Sequence, residues 1–145
     1  MDISVVKPRR GYKKPPADLK PRRDMVRYLL CLDVYTSAKN YLKDIDRLKI
    51  FLETLTKKVE MTPISGVDLF HYTDCKQKAD WGITGGIYMA ESHIKIHTYP
   101  DETEEYGFAM VDICSCKRFD EQVAIEHIKK FLGADYILNA WLLKG

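Results

Sequence analysis

The sequence predicts an α+β two-layer sandwich: a mainly antiparallel β-sheet with two helices packed on one face. Three observations carry this. Short runs of β-forming residues with alternating polarity recur along the chain. Two longer segments place apolar residues at spacings of three and four, the pattern of a helix with one buried face. The links between the central runs are of hairpin length, which favours antiparallel pairing over crossovers.

The first strand is read in "MVRYLLCLDVY", where Val26, Tyr28, Leu30 and Leu32 alternate with their neighbours. Next, "SAKNYLKDIDRLKIFLETLTKK" carries Leu42, Ile45, Leu48, Leu52 and Leu55 on one helical face, with Ser37 as a candidate N-cap. Pro63 and Gly66 close the following link, and "VDLFHY" reads as a short second strand. The polar, turn-like "TDCKQKADWG" is a loop. "ITGGIYMAES" and "HIKIHTY" are strand segments joined near Glu91 and Ser92.

An acidic turn, "DETEEYG", leads into the strand "FAMVDICSC". Asp120 is placed to cap a second helix, "EQVAIEHIKKFL", with Ala124, Ile128 and Phe131 on one face and Gly133 as its stop. "YILNAWLL" is the last strand. Counting the joined central segments as one run, the order is β-α-β-β-β-α-β. With both helices on one face, the other face needs a cover, and a homodimer is expected.

The 145 residues suffice for one domain with a single core. Residues 1–24 read as a flexible arm and 25–145 as the domain. The arm holds "VKPRRGYKKPPADLKPRR"; residues 1–23 carry eight Lys/Arg against two Asp and four of the six prolines. Such a segment has no face to bury. It offers a handle for nucleic acid or an acidic surface, yet Tyr12 is its one stacking aromatic, so a solvated tail is the expectation.

No apolar run approaches the roughly 20 residues of a membrane span, and the basic N-terminus lacks the apolar stretch of a secretory signal. A cytoplasmic location is expected. Cys31, Cys75, Cys114 and Cys116 are too few and too irregular for a disulfide framework. Cys114 and Cys116 with His93 or His97 would offer metal donors. There is no CxxC and no second cysteine pair, so no metal site is expected.

"YMAESHIKIHTYPD" is the stretch with the most chemical potential. A serine hydroxyl becomes a nucleophile when the backbone aims it at a carbonyl and a neighbour moves protons. Glu91-Ser92 fits if the chain bends there; otherwise Ser92 is a hairpin residue. Along a straight strand Ser92 and His97 point to opposite faces, so their cooperation requires a bend or bulge at Ser92. His97 suits proton transfer near neutrality or sits on a solvated face. Cys116 is a proton donor or a small buried hydrophobe. Asp112, Cys114 and Cys116 alternate and should share one face.

The ordered set "ESHIKIHTYP…YGFAMVDICSC" resembles the processing and active-site region of the short bacterial and archaeal S-adenosylmethionine decarboxylase proenzymes. The likeness is strong over about residues 82–116 and holds by element order from Arg27 to the end. It implies self-cleavage between Glu91 and Ser92: the serine attacks the preceding carbonyl to give an ester, and elimination and hydrolysis then leave a pyruvoyl group derived from Ser92. The products would be chains of 91 and 54 residues. In the family that group forms a Schiff base with the substrate amine and accepts electrons as CO2 leaves.

By the same resemblance His97 assists processing and proton transfer. Thr84 supplies the processing hydroxyl where the family usually has serine, and Cys116 returns a proton to the substrate. The expected substrate is S-adenosylmethionine, whose product is the aminopropyl donor for spermidine.

Three departures bear on that substrate. Asp101 stands where the family usually has a ribose-holding glutamate. "ETEE" is inserted after it, with Glu102, Glu104 and Glu105. Spacing puts Lys78 where the family has an adenine-stacking aromatic, leaving Tyr72 or Trp81 as substitutes. Asp101, Glu102, Tyr72 and Trp81 are therefore the candidate substrate contacts. An acidic loop also suits a pyruvoyl-dependent decarboxylase of arginine or ornithine. A non-enzymatic, uncleaved binding module is the further alternative.

Overall fold

Alternation along Tyr28–Thr36 buries every second residue and makes the first strand, β1. The computed structural model describes residues 16–19, 22 and 27–144. Val26, and the expected arm apart from 16–19 and 22, lie outside the described residues. The remaining elements are α1 (Ile45–Lys58), β2 (Pro63–Tyr72), β3 (Gly82–Met89), β4 (Ser92–Tyr99), β5 (Gly107–Ser115), α2 (Glu121–Leu132) and β6 (Tyr136–Lys144). The six strands form one sheet in the order β2-β3-β4-β5-β1-β6, antiparallel at every junction.

The α+β sandwich is therefore as expected, and three local readings change. The joined run is two strands, β3 and β4, turning through Ala90 and Glu91. Ser37 is not the cap of α1. Its N–H donates to Asp135 Oδ2 at 2.6 Å, a 3-10 turn fills Lys39–Leu42, and Asp44 caps the helix by accepting from Arg47 N–H at 3.0 Å. The second strand begins at Pro63, with its register shifting between Pro63 and Val67. An edge strand tolerates proline because one side of its ladder is unpaired.

Asp120 caps α2 as expected, its Oδ1 accepting from Gln122 and Val123 N–H at 3.0 and 3.2 Å. Gly133, at φ 62°, ends the helix in the left-handed conformation that glycine adopts without steric cost. The buried stripe runs through Ala124, Ile128 and Leu132. Phe131 instead lies beside it, with its ring 5.5 Å from Phe51 and the Arg47 guanidinium 4.6 Å above it.

Both helices cover the same sheet face. Leu30, Leu32 and Val34 of β1, Ile94 and Ile96 of β4, and Val111 and Ile113 of β5 meet Leu48, Phe51, Leu52 and Leu55 of α1 and the α2 stripe. Each such side chain contributes about 1.5–3 kcal/mol by leaving water. Thr98 is buried among them. Its hydroxyl accepts from Ile83 N–H at 2.9 Å and donates to the Leu42 carbonyl at 3.0 Å, so the polar group is satisfied on both sides. No helix among the described residues is long and apolar enough to cross a membrane.

His127 of α2 stacks on Phe51, with centroids 5.8 Å apart, and its Nε2 lies 2.9 Å from Thr54 Oγ1. Burial, aided by Lys58 and Lys130, pushes its pKa below the ordinary 6.5, against a raising contribution from Phe51. A histidine depressed in the folded state binds fewer protons there than when unfolded. This contribution to stability is full above the unfolded value and is lost as pH falls from it through the folded pKa. The denaturation midpoint of the wild type should drop over that window more than that of His127→Gln.

Candidate active site

The open sheet face carries the side chains opposite in parity to the core. On β4 these are His93, Lys95 and His97; on β5, Met110, Asp112 and Cys114. Asp112 and Cys114 thus share a face, as the alternation predicts, whereas Cys116 lies in the bend just past the end of β5. Across β1, the Cys31 thiol is opposite Asp112. Burial first, and then the Asp112 carboxylate, push its pKa up to about 12, so Cys31 stays a neutral thiol.

A groove of about 320 Å3 crosses this face between Phe70, Thr84, Tyr88, His93, Lys95 and His97. Glycine is required in its floor: a Cβ on Gly86 would stand 2.3 Å from the Ile94 carbonyl oxygen. The missing side chain also leaves open the space between Thr84 and Tyr88, its same-face neighbours along β3.

The candidate residues fall in two clusters, one lining the groove and one at the turn beyond it. At one end, Thr84 and His97 are register partners, with Oγ1 and Nδ1 3.1 Å apart. At the other end, the turn between β3 and β4 brings Glu91 and Ser92 against Cys116. The Cys116 N–H donates to the Glu91 carbonyl at 2.9 Å. The Ser92 hydroxyl lies 3.2 Å from His93 Nδ1. The Glu91 carboxylate is used locally, accepting from Thr62 N–H at 2.8 Å.

The chain turns through Ala90 and Glu91, directly before Ser92, but no bulge lies between Ser92 and His97: both ladders of β4 run in unbroken register from Ser92, which faces Met89 on one side and Ser115 on the other. Five residue steps of strand therefore separate Ser92 from His97, roughly 17 Å at about 3.4 Å per residue. Their side chains point to opposite faces. The chain assembles Glu91, Ser92 and Cys116, and separately Thr84 and His97, but does not join the two groups.

The substrate candidates divide in the same way. Asp101 is ringed by Lys43, Lys39 and Lys78, at 3.3, 3.7 and 4.0 Å. Burial raises its pKa, but a hydrogen bond from Lys43 and the three lysine charges outweigh it and hold the carboxyl below its usual range. Trp81 shares a pocket of about 290 Å3 with Lys43, Lys78 and Asp101, while its indole N–H donates to the Cys75 carbonyl at 3.1 Å. Glu102 is exposed on a turn that Lys39 fastens through the Thr103 and Glu104 carbonyls, at 2.8 and 3.1 Å.

Tyr72 borders a second pocket, also about 290 Å3, with Asp80, Thr84 and Tyr99. Tyr72 lies opposite Gly82 in the β2–β3 ladder. The Tyr99 ring stacks on Phe108 at a centroid distance of 6.0 Å. Sequence reasoning considers His93 only as a metal donor and passes over Tyr99, Asp80 and the Cys116 amide. Only His93 left a signal, as the neighbour of the candidate nucleophile. A backbone donor is invisible in any motif. Among the described residues no group of three His, Cys, Asp or Glu side chains is assembled that could hold a metal ion.

The family profile described as S-adenosylmethionine decarboxylase matches residues 28–140. The S-adenosylmethionine decarboxylase proenzyme of Thermodesulfovibrio yellowstonii is 34% identical over 115 residues, 79% of this chain and 71% of that protein. The proenzyme of Acidithiobacillus ferrooxidans is 26% identical over 114 residues, 78% of this chain and 77% of that one. That of Thermotoga petrophila is 42% identical over a shorter stretch of 55 residues, 37% of this chain and 39% of its own length. The profile covers the sheet and both helices from β1 into β6, with the Glu91–Ser92 turn inside it, and the chain belongs to the S-adenosylmethionine decarboxylase family.

Proposed function

We propose that this chain is a self-processing, pyruvoyl-dependent decarboxylase that acts on S-adenosylmethionine and supplies the aminopropyl donor for spermidine. One observation carries the reading: the Glu91 carbonyl accepts from the Cys116 amide while the adjacent Ser92 hydroxyl is paired with His93. A carbonyl polarised by a donor beside a hydroxyl that has a base partner is what an acyl shift from nitrogen to oxygen needs. The residues present thus fit the formation of a pyruvoyl group at position 92. That group, once formed, supplies an electron sink for loss of CO2.

The chain's own residues would do the rest. Cys116, whose amide meets the Glu91 carbonyl, would return a proton to the substrate α-carbon. Tyr72 and Tyr99 offer aromatic faces on either side of a pocket that suits the planar adenine, with Asp80 able to accept from its amino group. A second reading, decarboxylation of arginine or ornithine, is favoured by one observation: Asp101 is engaged with three lysines rather than free to hold ribose hydroxyls.

The protein is inferred to act as a homodimer formed over the open sheet face. Phe70 and Tyr88 are 65% and 57% exposed there, an unusual display of aromatic surface. The processing role that the resemblance gives His97 also requires either a second copy or a rearrangement before cleavage, given its distance from Ser92 in the intact chain. Sedimentation equilibrium should return the mass of two 16.8 kDa protomers. Monomer alone at high concentration would refute the dimer.

Intact mass under denaturing conditions tests the processing. Two chains of 91 and 54 residues are expected, the smaller lacking the elements of ammonia at its N-terminus. CO2 release from S-adenosylmethionine, arginine and ornithine, assayed in parallel, then separates the two substrate readings. One uncut chain after long incubation would overturn the enzyme and leave an uncleaved binding module.

A further inference from the structure

We propose that His93 is the base that starts chain cleavage, with the backbone amide of Cys116 as the donor that holds the developing oxyanion. The proposal deepens the function above and rests on it. His93 Nδ1 is 3.2 Å from the Ser92 hydroxyl oxygen, within reach of a proton that must leave before the oxygen can attack. His97 is the other histidine on this strand face. It is engaged with Thr84 at 3.1 Å, and the strand carries it to the far end of the groove.

The surroundings of His93 suit a base. Its ring meets the edge of Tyr88, with centroids 6.4 Å apart, and its register partner on β5 is Cys114. Burial lowers its pKa, as do the charges of Lys95 and Arg27, while Asp112 opposes them. The ring is therefore neutral near neutral pH, with Nδ1 free to accept in the Nε2–H tautomer.

The Cys116 donor is held by the sheet. Ser115, the last residue of β5, is the register partner of Ser92, so the next amide reaches the Glu91 carbonyl at 2.9 Å. Such preorganised donors stabilise charge without rearrangement at the moment it forms.

The step balances. His93 Nδ1 takes the proton from Ser92 Oγ, and the oxygen bonds to the Glu91 carbonyl carbon. The carbonyl oxygen becomes an anion and accepts from Cys116 N–H. Collapse breaks the bond between the Glu91 carbon and the Ser92 nitrogen, and that nitrogen takes the proton back from His93. An ester and a free amine remain, with no net change in protons.

The test follows decay of the uncut chain by intact mass, across a pH series, for wild type, His93→Gln and His93→Ala. The expected result is cleavage slowed about a hundredfold in both variants. Added imidazole should partly restore His93→Ala. The wild-type rate should rise with pH through the titration of His93 and then level, an inflection that the variants lack. Circular dichroism checks folding. If the variants are unfolded, the wild-type profile decides alone, and a flat one overturns the proposal.

Cleavage of His93→Gln at the wild-type rate would overturn the role of His93 and leave the decarboxylase reading intact. So would slow cleavage with no imidazole rescue and an unchanged inflection, which would mark a structural role. A wild type that never cleaves removes both.

Discussion

Ser92→Ala is expected to leave the chain whole at 16.8 kDa under conditions in which the wild type divides. The substitution removes the hydroxyl that forms the ester at the turn between β3 and β4. Folding should survive. Ser92 is half-buried, its side-chain partner is one ring nitrogen, and its backbone pairs on both sides are independent of the hydroxyl. Loss of one such hydrogen bond costs about 0.5–1.5 kcal/mol. Mass spectrometry reads the uncut chain, and thermal unfolding shows that it is folded. A Ser92→Ala chain that still divides after residue 91 would disprove the serine as nucleophile.

Cys116→Ala should behave in the opposite way. The amide that meets the Glu91 carbonyl belongs to the backbone and persists in alanine, so cleavage is expected at close to the wild-type rate. The thiol is lost, and with it the group proposed to return a proton to the substrate α-carbon. Turnover should fall by about 10²–10⁴, the usual contribution of a positioned acid. Measuring CO2 release on fully cleaved protein keeps processing out of the comparison. Full turnover would remove the proton-donor role. Arrested cleavage would mean that the side chain, not just the amide, serves processing.

Much of this is legible in the sequence. Periodicity placed α1 and α2 because Leu48, Leu52 and Leu55, and Ala124 and Ile128, recur at helical spacing and meet one core. Asp120 and Gly133 gave α2 its ends. The cap of α1 was misread because Ser37 and Asp44 are both good caps, and only the contact of Ser37 with Asp135, 98 residues away, distinguishes them. Phe131 fits the helical stripe by spacing. Its displacement by Leu132 reflects where α1 lies, which spacing along one helix does not encode.

The site was legible as a list of residues and illegible as a layout. Ser92, Cys116, Thr84 and His97 could be named from their motif. That Thr84 partners His97 follows from strand register, which pairs residues distant in the chain, whereas Ser92 meets its own neighbour, His93. Asp101 shows the same limit. Its engagement depends on Lys39 and Lys43, at the start and just past the end of the 3-10 turn, and on Lys78 after β2, none of them near it in sequence.

The strand order has a consequence for what a cut at residue 91 would do. It would assign β1, β2, β3 and α1 to one piece and β4, β5, β6 and α2 to the other. In the sheet these alternate, because β1 lies between β5 and β6. The pieces would be interlaced like fingers and could not part without breaking three ladders: β3–β4, β1–β5 and β1–β6. Cleavage would leave the fold in place yet change its molecularity. Recovery after denaturation, unimolecular for the intact chain, becomes a second-order encounter of two strands-and-helix halves, so apparent stability grows with protein concentration. Cutting would turn one self-sufficient fold into a partnership governed by mass action.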